Sequence, residues 1–144
     1  MSSDPDRKAT VFIVDDEAVI RDSLGLVVRA MGMSVHCFSS AHEFIEFIER
    51  HDVSSPVCLV TDIQMPKING IELLERLTAS GWGFPVIVMT GHGDEALKQR
   101  AEALGATFLE KPFRPSSFEE VVATCLRQND GKKDAPYQDE NATT

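Results

Sequence analysis

Short apolar runs alternate with longer mixed stretches along most of the chain. Five runs stand out: ATVFIV (9–14), MSVHCF (33–38), VCLVT (57–61), PVIVM (85–89) and ATFLE (106–110). Each has the length of a strand and is too short for a helix. Three are dense in β-branched residues, as buried parallel strands tend to be. The second alternates apolar and polar, which predicts an edge position. The stretches between them carry helical spacing. Ile20, Leu24, Val27 or Val28, and Met31 mark the first helix, with Gly32 suited to its C-terminal cap. Ser40 and Glu43 suit a capping box ahead of Phe44, Ile45 and Ile48 in the second. Ile71, Leu74 and Leu77 mark the third. The fourth starts near Asp94 and stops at Gly105, with a thin apolar face of Leu97, Ala101 and Leu104. The fifth starts at Ser116 or Ser117, with Glu119 and Glu120 in its first turn and Val121, Val122, Cys125 and Leu126 on its apolar side.

Strand and helix thus alternate five times. That order argues for an open α/β fold, a doubly wound five-stranded parallel sheet with helices on both faces. The expected organisation is a flexible N-terminus (1–8), one domain (9–128) and a polar tail or linker (129–144). A chain of 144 residues is long enough for one substantial core. The net charge of −9 argues against nucleic-acid binding through this chain, because phosphate contacts need clustered Lys and Arg. No apolar run reaches the roughly 18 residues of a membrane span. The opening MSSDPDRK lacks the apolar segment of a signal peptide. Cys37, Cys58 and Cys125 each lie in an apolar stretch and show no metal-ligand spacing, which fits reduced core thiols in a cytoplasmic protein. The histidines are scattered, against a transition-metal site.

The chemistry concentrates where strands end. The first run is followed by Asp15-Asp16-Glu17, the third by Asp62, the fourth by Thr90-Gly91 and the fifth by Lys111-Pro112. Parallel strands joined by right-handed crossovers bring their C-terminal ends to one edge of the sheet. Ligands bind outside that edge, where the strand order reverses. Were five such strands to take the order 2-1-3-4-5, the reversal would fall between strands 1 and 3. Asp15, Asp16 and Asp62 then share a crevice, with Thr90 and Lys111 on its other wall. Three carboxylates side by side repel one another and need cations. Lys111 supplies one charge. An all-oxygen donor set suits a hard divalent ion such as Mg²⁺ for the rest. A carboxylate so placed can act as a nucleophile and form an aspartyl phosphate. Taken singly, Asp15 and Asp16 could merely cap a helix, Thr90-Gly91 make a turn and Lys111-Pro112 a loop. Their joint placement favours a site.

VDDE, DIQMP followed by Gly70, MTG and KPF together resemble the receiver domain of two-component response regulators, over roughly residues 9 to 128. The resemblance implies a flavodoxin-like strand order 2-1-3-4-5 and a cytoplasmic phosphoryl-accepting switch. By it, Asp62 is the phosphoacceptor, taking its phosphoryl group from a sensor histidine kinase or phosphotransfer protein. Asp16, Asp62 and the backbone carbonyl of Gln64 hold Mg²⁺, with Asp15 assisting through water. Thr90 and Lys111 contact the phosphoryl group, and Lys111-Pro112 is a cis peptide. Phe108 stands at the family's rotating aromatic position. It has no hydroxyl, so its rotation is not reported by a hydrogen bond. The switch alters the surface of helix 4, strand 5 and helix 5, where a partner binds, a second copy of the chain included. MTGHGD and KPF look most like receivers often linked to DNA-binding effectors; no effector is present in this chain. His92, two residues after Thr90, reads as a solvated loop residue near the same edge.

Three rivals remain. A phosphatase of the haloacid-dehalogenase type also uses an aspartate nucleophile, but needs an acid where Gln64 stands. A flavin-binding module needs a Ser-, Thr- and Gly-rich loop where DDEAV stands. A degenerate receiver acting by protein contacts alone is expected to lack at least one of the five site residues, and all five are present.

Overall fold

The computed structural model describes residues 9–51, 53 and 57–132. Strands β1 (Thr10–Val14), β2 (Ser34–Phe38), β3 (Val57–Asp62), β4 (Val86–Thr90) and β5 (Thr107–Glu110) alternate with helices α1 (Ala18–Ala30), α2 (Ala41–Arg50), α3 (Gly70–Ala79), α4 (Glu95–Ala103) and α5 (Pro115–Lys132). The strands form one sheet in the order β2-β1-β3-β4-β5, and every pairing is parallel. The alternating run 33–38 does lie at an edge.

Period-two alternation sorts the strand side chains between two helix layers. Val11, Ile13, Cys58, Val60, Ile87 and Met89 pack with Leu24 and Val28 of α1 and Phe118 and Val122 of α5. Phe12, Val14, Val57 and Leu59 face the other way, onto Phe44 and Ile48 of α2 and Leu73 and Leu77 of α3. Val88 joins that second face with Ile71 and Leu74 of α3 and Ala101 of α4. Burial on both faces is why β3 reads as an unbroken apolar run, with all six of its residues buried. The cysteines are free; Cys58 and Cys125 lie in the core and Cys37 is half-buried.

Gly32 closes α1 as expected, whereas the helix ends differ from the sequence expectation on α2, α3 and α5. Gly32 lies one residue beyond the C-cap Met31 at φ 85°, a conformation that glycine adopts without strain. Only half of the expected capping box forms on α2. Ser40 accepts from the Glu43 N–H, but the Glu43 carboxylate turns back to the N–H and hydroxyl of Ser39. A complete box forms instead on α3, between Asn69 and Glu72. α5 begins at Pro115, ahead of either serine, because proline's fixed φ suits a first helical position and needs no N–H partner. Glu119 and Glu120 therefore fall beyond its first turn. The helix also runs past residue 128, where the tail was expected to begin; residues 1–8 and 133–144 lie outside the described residues. Among the described residues, no helix is long and apolar enough to cross a membrane.

Candidate functional site

Four strand ends contribute to the crevice. At β1, the Asp15 N–H bonds to Phe38 O at 3.1 Å, extending the ladder to β2 by one residue. Asp15 is thereby carried inside the fold, with 0% exposure, while Asp16 stays exposed. The Glu17 N–H donates to Asp15 Oδ1 at 2.8 Å and Arg21 donates to the Asp15 carbonyl at 2.7 Å. Asp15 Oδ2 is buried and finds no partner.

At β3, the Ile63 N–H bonds to Met89 O at 3.0 Å, and the chain then turns so that the Gly70 N–H reaches Ile63 O at 3.1 Å. This turn accounts for Gly70: a Cβ there would stand 2.6 Å from the Asp62 carbonyl oxygen and 3.0 Å from Ile63 Cα. No side chain fits between these backbones. Asp62 is 7% exposed, and its Oδ1 accepts from the Gln64 N–H at 3.3 Å and forms an ion pair with Lys111 Nζ at 3.3 Å. Lys111 is positioned by its own N–H, which bonds to Thr90 O at 2.7 Å and extends β5 alongside β4. The Lys111-Pro112 bond is cis, as expected. Thr90 is buried and its Oγ1 has no partner.

One carboxylate oxygen from each of Asp15, Asp16 and Asp62 lies within 4.8 Å of the other two. Burial pushes the Asp15 carboxyl up to about 6, the Glu17 N–H pulling against it and the Asp62 charge adding to it. Burial likewise raises Asp62, while the Lys111 ammonium opposes the shift. One ammonium touching one of three acids leaves negative charge uncompensated. The orphaned Asp15 oxygen and the all-oxygen donor set fit a hard divalent cation such as Mg²⁺.

A cavity of about 400 Å³ opens beside the acids, lined by Asp16, Glu17, Asp62, Gln64, Gly91, His92, Asp94 and Lys111. The sequence-derived residues Asp15, Asp16, Asp62, Gln64, Thr90 and Lys111 thus come together at one sheet edge. Phe108 does not. It stands on β5 in the cluster formed with α3 and α4, half-buried, with Lys98 Nζ 5.3 Å from its ring centroid.

Asp94 is the site residue that sequence reasoning placed only as a helix start. It is 6% exposed and its side chain makes no cap bond to α4. Its Oδ2 accepts from the Gly91 N–H at 2.6 Å and its Oδ1 from Gln64 Nε2 at 2.8 Å. An acid before a helix ordinarily caps that helix, so nothing local signals the turn toward the crevice.

The chain is similar to known proteins in sequence and in fold. Residues 11–123 match the response regulator receiver domain. Transcriptional regulatory protein FixJ of Bradyrhizobium diazoefficiens is 37% identical over 135 residues, covering 92% of this chain and 64% of that protein. Response regulator protein TodT of Pseudomonas putida is 35% identical over 138 residues, covering 95% of this chain and 57% of that protein. The chain therefore spans less than two thirds of the length of these relatives. Among solved structures, FixJ-N matches with a TM-score of 0.76 at 38% identity, covering 84% of this chain and 95% of that one. Response regulator StyR matches with a TM-score of 0.80 at 36% identity, covering 93% and 67%. With its acids at the ends of β1 and β3 and its lysine at the end of β5, this chain belongs to the family of response regulator receiver domains.

Proposed function

We propose that the chain is a phosphoryl-accepting switch in which Asp62 receives the phosphoryl group. The observation that carries this reading is the surroundings of Asp62. Its carboxylate opens onto a cavity, has an ammonium 3.3 Å away and two further acids beside it, and shares its sheet edge with the buried, unpartnered Thr90 hydroxyl. A carboxylate oxygen attacks phosphorus, the bond to the donor's imidazole nitrogen breaks, and the imidazole leaves with the electron pair. Asp16, Asp62 and the Gln64 carbonyl would hold Mg²⁺, with Asp15 behind them through water. Bound there, the ion neutralises charge on the transferring oxygens. Lys111 pairs with a phosphoryl oxygen as well, and the Thr90 hydroxyl moves in to donate to another. The donor is a phosphohistidine on a sensor kinase or phosphotransfer protein. The chain assists its own phosphorylation and dephosphorylation at Asp62 and is not an enzyme acting on a separate substrate.

The relatives' names suggest a transcriptional output, delivered by a region beyond the receiver. The switched surface of α4, β5 and α5 would engage that region or a second copy of the chain. Gln64 argues against the phosphatase reading, because its amide cannot supply the general acid. Incubation with a small acyl phosphate and Mg²⁺ tests the assignment. Intact mass should show one acid-stable, base-labile phosphate, absent from Asp62→Asn. A full-strength adduct on that variant would refute it.

A further inference from the structure

One side-chain bridge crosses the mouth of the crevice. Gln64, exposed on the β3–α3 loop, donates to Asp94 on the β4–α4 loop, 30 residues away. The same carboxylate holds the Gly91 N–H. Gln64, Asp94 and Gly91 all line the cavity onto which Asp62 opens. We infer that the Gln64–Asp94 bridge is an autoinhibitory latch. In the resting chain Asp94 occupies the Gly91 amide and holds the β4–α4 loop, and a phosphoryl group on Asp62 must displace it. The inference rests on Asp62 being the phosphoacceptor.

Three physical points support the latch. An incoming phosphoryl group brings negative charge to a cavity whose wall already carries the Asp94 carboxylate, and like charges there raise the cost of entry. An N–H engaged at 2.6 Å by a carboxylate is withheld from a phosphoryl oxygen that needs donors. The neighbouring Thr90 hydroxyl is buried and unpartnered in the closed arrangement, so a phosphoryl oxygen would give it a bond it now lacks. The loop thus has two sets of partners, and Gln64 biases it toward the closed set by fixing the far oxygen of Asp94. Gln64 is neutral, so it holds Asp94 in place without cancelling the charge that guards the cavity.

The test is phosphorylation of wild type, Gln64→Ala, Asp94→Ala and the double variant by acetyl phosphate with Mg²⁺, followed by intact mass. Each single variant should accept phosphate about fivefold faster, equivalent to about 1 kcal/mol. The double variant should be no faster than the faster single, because both changes remove one bridge. Unchanged or slower single variants, or effects that multiply in the double, would overturn the latch. Gln64 is exposed, so Gln64→Ala decides the matter even if Asp94→Ala does not fold. Its second readout is the Gly91 amide resonance, which should move in Gln64→Ala before any donor is added; an unmoved resonance also overturns the latch. Failure of the underlying assignment looks different: wild type takes no phosphate, or Asp62→Asn takes as much as wild type.

Discussion

Asp15 carries an oxygen with nowhere to go. Its carboxyl is raised from 3.8 to about 6, chiefly by burial. The native chain therefore holds that proton more tightly than the unfolded chain does. Without a cation, this contribution to stability is full below about pH 4 and is lost as pH rises through about 6. Asp15→Asn removes the buried charge. In chelator at pH 7.5 the variant should be more stable than wild type by on the order of 1–2 kcal/mol, somewhat less than the full shift because water reaches the crevice. That advantage should shrink toward pH 5, measured by denaturant unfolding at each pH. An advantage that does not vary with pH would mean that burial of this charge is not its source. Gly70→Ala tests the other tight contact. The Cβ meets the backbone at 2.6 Å, so β3 must shift, at a cost of about 1–3 kcal/mol. Its Mg²⁺ response should weaken with it, because the displaced atoms are those of Asp62 and Ile63. The acids and the lysine were legible from their places after apolar runs. The hydrogen bonds of Asp94 were not, since its partner Gln64 is remote in sequence and its own position carries a stock helix-start signal.

Among the elements, α4 is the most loosely attached in its layer. Ala101 is its one buried residue; Leu97, and Leu104 at its C-cap, add only partial burial. Arg100 reaches Glu75 at 3.1 Å and Lys98 reaches Glu110 at 4.0 Å, both on the surface. Pairs of that kind contribute about 0–1 kcal/mol. Few buried contacts mean a low cost of local opening, as the thin apolar face implied. An inward Thr90 would vacate space beside β4, and Phe108 could turn into it. Hydrogen exchange with a stable phosphoryl mimic and Mg²⁺ should then change across residues 90 to 122 in wild type. Thr90→Ala should change much less; an equal response would detach Thr90 from the surface. Helix existence was readable from spacing, but the exact caps were not. Glu43 found Ser39 rather than Ser40, and Asn69–Glu72 capped α3 unforeseen, because such bonds are chosen among near-equal neighbours by the local turn.

At the scale of the whole molecule, the site is a cluster of three acids at one edge of the sheet. Mg²⁺ that binds only the native state should raise the melting midpoint. At ten times its Kd the gain is about 1.4 kcal/mol. Asp16→Asn should blunt the response; no shift in wild type at millimolar Mg²⁺ would mean that the acids hold no such ion. Strand number and order emerged from the alternation of runs and from family resemblance, since pairing is not written in any single run. That order also has a temporal consequence. Asp15, Asp62, Thr90 and Lys111 come from four separate stretches of chain and meet only through the sheet. A growing polypeptide that has emerged as far as Asp62 has the carboxylate we propose as acceptor but neither hydroxyl nor ammonium beside it. Until β5 takes its place alongside β4, Asp62 lacks the Lys111 ammonium that lies 3.3 Å from it in the folded chain. The proposed site is therefore complete only once the last strand has joined the sheet.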